Sequence, residues 1–250
     1  MSDFERKYIT ANNPPNTPVY DEMFFQNLFR ELNTISPELE PISISILASL
    51  AIGAHRPDLV SCILDRAIAK NQQNLELSFK QLEGVIMVVW PFVGIPWCVT
   101  ACLGIVNVLE GHNFLEVADK VRRPSLNSGH KQIGEDLMLE TYKTVRNEEV
   151  RDMLRQYFPD FSSLTWTVVF GYCLNETTET GVFNEAQSEL ILACCLTTSG
   201  ATRQATSHLK ASISLGNSVD SVRAVLKVAA MLVSWNGQVF NPLDINAICS

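Results

Sequence analysis

The sequence predicts an all-α protein built as two tandem helical bundle units, and three observations support this expectation. Apolar residues recur at helical spacing through most of the 250 residues, and the first half shows no strand period. Hydrophobic residues make up 46% of the chain and charged residues 18%, a balance that suits a helical protein with large buried or intersubunit surfaces. The third observation is an internal repeat at a shift of 145 residues.

The first unit is predicted to span 20–110, after a flexible N-terminal arm over 1–19 that is polar and rich in Pro and Asn. Within it, 20–33 is amphipathic, and the run over 41–54 is apolar on every face, as in a helix buried in a bundle or a subunit interface. Three further helices follow. They are predicted over 59–69, 75–90 and 95–109.

The most apolar segment, 84–109, carries no charge and is long enough to cross a membrane. Pro91, Gly94 and Pro96 interrupt it near the middle, however. Because proline removes a helical hydrogen bond and clashes with the preceding turn, the segment predicts a helix ended by Pro91, a turn, and a second buried helix. We therefore expect no membrane span.

The second unit is predicted over 148–250, and a polar linker or insertion over 111–147 separates it from the first. A short helix around 136–142 is expected inside the linker, and loop chemistry around Arg122 to Ser125. The stretch 183–235 predicts three consecutive helices. Glu189 is expected to open the first of these helices, after an Asn184 cap, and His208 to open the second.

The repeat places any single site of the chain in the second unit. A shift of 145 residues brings Leu47 onto Leu192 and Trp90 onto Trp235 without a gap. The same shift sets Glu189 on Ile44 and His208 on Ile63. An acid and an imidazole in the second unit thus replace two apolar residues of the first.

The net charge and the cysteine content indicate which partners and which cell compartment to expect. The net charge of -8 argues against nucleic acid, because binding to phosphates needs a basic face. The seven cysteines lie mostly in apolar runs, which favours reduced buried thiols in an intracellular protein, cytoplasmic by default, over a disulfide framework. We expect Cys98, Cys102, Cys194 and Cys195 to be core residues, and no metal or other cofactor.

Several motifs, in this order along the chain, resemble the carboxymuconolactone decarboxylase-like and alkylhydroperoxidase D-like proteins. The motifs are residues 84–101 with Val93-Gly94-Ile95-Pro96, then Phe158-Pro159-Asp160-Phe161, Phe170-Gly171-Tyr172, 183–193 with Glu189-Leu190, and His208-Leu209 with Gly216. The resemblance implies an all-helical fold, here of tandem alkylhydroperoxidase D-like helical bundle units. It also implies a homo-oligomer, because small subunits of the family assemble into trimers or hexamers and two-unit chains halve the number of chains needed.

The resemblance also implies one of two chemistries. The peroxidase-like branch has the pattern E-x11-C-x2-C-x3-H, and this chain keeps its Glu189 and His208 but places Ala201 and Gln204 at the thiol positions. Peroxide reduction needs a thiolate nucleophile and a resolving thiol, which a methyl group and an amide cannot replace. A thiol peroxidase is therefore not expected at this position.

The decarboxylase-like branch needs no cysteine, and it implies a cofactor-independent lyase acting on a small carboxylated lactone or cyclic acid. His208 would deliver a proton, and Glu189 would orient the imidazole. Arg203 and Gln204, one turn before His208, would bind the substrate carboxylate. The alternative is a non-catalytic oligomeric scaffold or interaction protein that has kept the fold, in which Glu189 only satisfies a helix dipole and His208 lies at the surface.

Overall fold

Helices account for all the regular secondary structure in the computed structural model, which describes residues 2–114, 116–117, 125–145 and 148–249. Within these ranges there is no strand, so the predicted all-α class is confirmed. The α-helices are α1 (Glu22–Ile35), α2 (Ser43–Gly53), α3 (Asp58–Lys70), α4 (Leu75–Val93), α5 (Ile95–Gly111), α6 (His130–Tyr142), α7 (Glu148–Tyr157), α8 (Pro159–Leu164), α9 (Asn175–Glu179), α10 (Glu185–Thr198), α11 (Thr202–Ser214), α12 (Val219–Trp235) and α13 (Ile245–Cys249).

Helices α2 and α10 pack against each other at the centre of the molecule. Both are buried along most of their length, which explains why the sequence of α2 is apolar on every face. The Thr198 hydroxyl donates a hydrogen bond to the Leu50 carbonyl at 2.9 Å, and a Cβ added at Gly53 would lie 2.3 Å from the Cys195 carbonyl oxygen. The two halves of the chain therefore share one hydrophobic core.

The helix bounds agree with the 145-residue shift. Shifted by that amount, α2, α3 and α4 become 188–198, 203–215 and 220–238, and each end lies within three residues of α10, α11 and α12. The description of the chain as two tandem units stays a prediction that this agreement supports.

The apolar segment 84–109 is divided between α4 and α5, as predicted, but the break is not at Pro91. Helix α4 continues through Pro91 to Val93, and the chain turns at Gly94, whose φ of 92° suits glycine. Pro96 then occupies the first turn of α5, where its missing N–H has no helical partner to lose. Among the described residues, no helix is both long and apolar enough to cross a membrane.

Two segments are more structured than the sequence predicts. In the 1–19 arm, Glu5–Ile9 forms a π-helical turn, and Ile9 is buried against α5. In the predicted 111–147 linker, α6 packs on a continuous helical segment, 159–179, whose middle part, Thr165–Leu174, is a π-helix. Residues 115, 118–124 and 146–147 of that linker, with the predicted Arg122-Arg123-Pro124 loop, lie outside the described residues.

The contact between α6 and the π-helix requires glycine. A Cβ added at Gly134 would lie 1.8 Å from the Trp166 carbonyl oxygen, and one added at Gly171 would lie 1.8 Å from the His130 carbonyl oxygen. Because any side chain would clash with backbone here, the two glycines let the helices approach closely. This approach fixes the position of Tyr142 at the end of α6.

Candidate functional site

Glu189 and His208 lie in the middle of neighbouring helices and contact each other. The Asn184 side chain caps α10 and forms a capping box with Gln187, so the first helical turn ends before Glu189. His208 lies in the second turn of α11, which begins at Thr202. Both side chains are buried, at 3% exposure, and Glu189 Oε1 is 2.5 Å from His208 Nδ1.

This geometry corrects two expectations from the sequence. Glu189 is not a first-turn acid at the helix end, a place that Glu185 takes instead, and His208 does not open its helix at the surface. The error comes from the start of α11, which lies six residues before His208. Packing of α10 on α11 turns both side chains inward, where a carboxylate and an imidazole are stable only as hydrogen-bonded partners.

Tyr142 extends this pair into a chain of three side chains. Its hydroxyl oxygen lies 2.9 Å from His208 Nε2, so both imidazole nitrogens have a partner. Phe92 meets the His208 ring edge-on, with ring centroids 5.9 Å apart, and Phe170 packs on Tyr142 at 6.0 Å. The sequence offers no local signal for Tyr142, because 66 residues separate it from His208.

The hydrogen-bond chemistry assigns the donors. An ionised Glu189 can only accept, so His208 Nδ1 donates to it, and in the neutral imidazole Nε2 then accepts from the Tyr142 hydroxyl. Burial, and next the Glu189 charge, raises the pKa of Tyr142 well above its usual value. Tyr142 is therefore a neutral hydroxyl that holds a proton beside the imidazole.

A cavity of about 210 Å³ lies beside His208 and Tyr142, at one end of this hydrogen-bonded chain of three side chains. Its wall is apolar on the α6 and π-helix side and carries two arginines, one from α7 and one from α11. The lining residues are Met138, Tyr142, Val150, Arg151, Leu154, Ser162, Thr165, Trp166, Phe170, Arg203, Gln204, Ser207 and His208.

The structure brings together the four residues that the sequence singles out. His208, Arg203 and Gln204 line the cavity, and Glu189 lies behind His208 without lining it. Arg203 and Gln204 are exposed at the rim. Arg151 and Ser162 also line the cavity, and sequence patterns missed them because neither residue belongs to a motif.

The cysteines lie away from this chemistry. None lines the cavity, and all seven are free thiols. Cys194 and Cys195 are buried inside α10, as expected for core residues, and burial raises the pKa of both thiols, which keeps them protonated. Cys98 is buried too, and burial raises its pKa to about 12, but Cys102 is exposed and the expectation that it belongs to the core is wrong.

The described residues contain no group of three or more His, Cys, Asp or Glu side chains placed to hold a metal ion. The candidate site is therefore a hydrogen-bonded acid, imidazole and phenol beside a small cavity with two guanidinium groups.

Comparisons of the chain with protein-family models, curated proteins and solved structures find no match.

Proposed function

We propose that the protein is a carboxymuconolactone decarboxylase-like, cofactor-independent lyase that acts on a small carboxylated lactone or related cyclic acid. One observation supports this proposal above the others: the hydrogen-bonded chain from Glu189 through His208 to Tyr142 ends at a cavity of about 210 Å³. A buried acid and imidazole that served only packing would not need to reach a cavity. General acid–base catalysis needs both the chain and the space for a substrate.

The hydrogen-bonded Glu189–His208–Tyr142 chain can hold its mobile proton in two arrangements. When His208 is neutral, Tyr142 donates to Nε2. When His208 is protonated on both nitrogens, Nε2 donates to the Tyr142 oxygen, and the Tyr142 proton is available to a ligand in the cavity that this residue lines. Glu189 stabilises the imidazolium at a separation of 2.5 Å.

Decarboxylation would use the second arrangement. The bond between the substrate carbon and its carboxylate breaks, carbon dioxide leaves, and the bonding electron pair moves into the lactone as a dienolate. Tyr142 gives its proton to the substrate carbon, where the same electron pair forms the new C–H bond, while the Tyr142 oxygen takes the proton of His208 Nε2. His208 is left neutral and recovers a proton from water.

This order of events agrees with the environment of Tyr142. Its raised pKa disfavours a phenolate, and in the proposed transfer the oxygen loses one proton as it gains another, so no phenolate accumulates. Arg203 places a positive charge at the rim, where it holds the anionic substrate and stabilises the dienolate, and Gln204 adds a hydrogen-bond donor beside it.

Release of carbon dioxide from a panel of small carboxylated lactones and cyclic acids tests the proposal. We expect the wild-type protein to turn over at least one member, and His208→Gln and Glu189→Gln each to lower kcat by about 10²-fold or more. His112→Gln is the matched control, because His112 is an imidazole paired with a carboxylate, Asp65, on the surface. Full activity in His208→Gln would refute the assignment, and a folded wild type without any turnover would favour the non-catalytic scaffold.

The proposal includes a homo-oligomer. Ile95, Val99 and Val106 of α5 are exposed and share one helix face, an arrangement that favours burial against another subunit. Light scattering should give a mass above 27.9 kDa, and Val99→Glu should lower that mass. A monodisperse wild-type mass equal to one chain would contradict this part of the proposal.

A further inference from the structure

The lining of the cavity includes polar groups from α7 and α8 that the proposed chemistry does not use. Helix α7 contributes Arg151, and the first turn of α8 contributes Ser162. Only Phe158 separates these two helices, and residues 148–164 are called the α7–α8 segment below. Their surroundings indicate what kind of molecule the cavity selects.

Ser162 has an unsatisfied hydroxyl. The residue is 2% exposed, and among the described residues its Oγ has no hydrogen-bond partner. The neighbouring hydroxyl on the same wall, that of Thr165, donates to the Phe161 carbonyl at 2.8 Å. A buried hydroxyl without a partner is unfavourable, so a polar ligand atom in the cavity that Ser162 lines would complete its hydrogen bonding.

The charges on the cavity wall are positive. Arg151 and Arg203 both line it, and no Asp or Glu is among the lining residues that the structure describes. Arg151 is 3.4 Å from Asp152, which is itself outside the lining and mostly exposed, so this pair is weakened by solvent. In a chain with a net charge of -8, two guanidinium groups at one small cavity favour an anion.

The remaining wall suits a flat ring. Met138, Leu154, Trp166 and Phe170 supply apolar and aromatic surface, and the Arg155 guanidinium covers the Trp166 ring at 4.3 Å from its centroid. A volume of about 210 Å³ has room for a single-ring compound.

We propose that the α7–α8 segment is the specificity-determining part of this site, and that it selects a single-ring, planar carboxylate. The carboxylate lies between Arg151 and Arg203, the ring packs against the aromatic wall, and one ligand oxygen bonds the Ser162 hydroxyl. This inference rests on the cavity of the proposed function, and it adds Arg151 and Ser162 as ligand-binding residues.

The test uses sodium benzoate as the probe and benzamide as its uncharged isostere. Binding is followed by the indole N–H signals of the ¹⁵N-labelled full-length protein, with Trp166→Phe identifying the signal from the cavity. We expect benzoate to shift the Trp166 signal and to bind at least about tenfold more tightly than benzamide, because a hydrogen bond to a charged group contributes more to binding than one between neutral groups. Equal affinity for the two probes, or no saturable shift with benzoate, would overturn the proposal.

Variants with matched controls locate the contacts. Arg151→Gln should weaken benzoate about tenfold or more, whereas Arg223→Gln, which removes an exposed arginine paired with Asp220, should change nothing. Ser162→Ala should weaken benzoate about threefold to tenfold without lowering Tm, because it also removes an unpaired hydroxyl. Ser45→Ala removes another buried unpaired hydroxyl, outside the cavity lining, and should leave benzoate affinity unchanged.

The outcomes separate this inference from the proposed function. If benzoate binds with the expected variant pattern and no lactone releases carbon dioxide, the ligand subsite stands and the lyase assignment fails. If turnover depends on His208 but neither Arg151→Gln nor Ser162→Ala changes KM or benzoate affinity, the lyase stands and the subsite is wrong.

Discussion

Replacing Glu189 and His208 by isoleucine, singly and together, measures how much the buried polar pair changes the free energy of unfolding. The 145-residue shift sets these positions on Ile44 and Ile63, so isoleucine is the residue that the other half of the chain already carries. Each side chain is only 3% exposed, and each is the hydrogen-bond partner of the other at 2.5 Å. Neither single variant leaves the remaining partner satisfied.

The magnitudes follow from burial. Removing one member of a buried pair costs about 3–5 kcal/mol, because the other stays in the core without its partner. For a chain of this size, that loss lowers Tm by roughly 6–20 °C. The double variant leaves only the Tyr142 hydroxyl without its acceptor, a loss of about 1–3 kcal/mol, while the two apolar side chains restore packing. The double variant should therefore be more stable than either single variant.

Urea titration followed by circular dichroism at 222 nm gives the free energy of unfolding for the wild type and the three variants. We expect a favourable coupling energy of at least about 2 kcal/mol between the two substitutions. Strictly additive losses would refute the reasoning, because they would mean that the two buried groups do not depend on each other.

Three further predictions concern the elements that hold the site. Gly134→Ala should lower the free energy of unfolding, measured by the same urea titration, by about 3 kcal/mol, because its Cβ would lie 1.8 Å from a backbone oxygen. Gly111→Ala is the control: its Cβ would meet nothing within 4 Å, so the free energy of unfolding should change by less than about 1 kcal/mol. Asn184→Ala removes the cap of α10 and should lower the unfolding free energy by about 1 kcal/mol; an unchanged value would argue against the cap. The raised pKa of Tyr142 means that only the unfolded chain loses this proton from about pH 10 upward, so stability falls as pH rises. Tyr142→Phe should flatten that fall in urea titrations at alkaline pH, and an equally steep fall would contradict the assigned burial.

Local patterns predicted the helices because each signal lies within a few neighbouring residues. The Asn184 cap, the amphipathic run that became α1 and the break near Gly94 are examples. The continuation of α4 through Pro91 was missed, because the prediction took the one hydrogen bond that a proline lacks as enough to end the helix, whereas α4 continues for two residues beyond it. The π-helix Thr165–Leu174 was also missed, because its residues follow neither the strand period nor the usual helical one.

Sequence patterns likewise predicted some residues of the candidate site and missed others. Glu189, His208, Arg203 and Gln204 share 183–235, where spacing along two helices brings them to one place. Tyr142 was missed, because it lies in a segment that composition predicts as a linker. A glycine contact between helices, which no local pattern encodes, brings it next to His208.

The proposed function requires that the Glu189–His208–Tyr142 chain deliver a proton to a substrate carbon in the adjoining cavity. Mass spectrometry of the product formed in D₂O from a carboxylated lactone detects this transfer. We expect one carbon-bound deuterium for each carbon dioxide released by the wild type, and loss of both in His208→Gln. Equal carbon dioxide release and deuterium incorporation by the wild type and His208→Gln would contradict it.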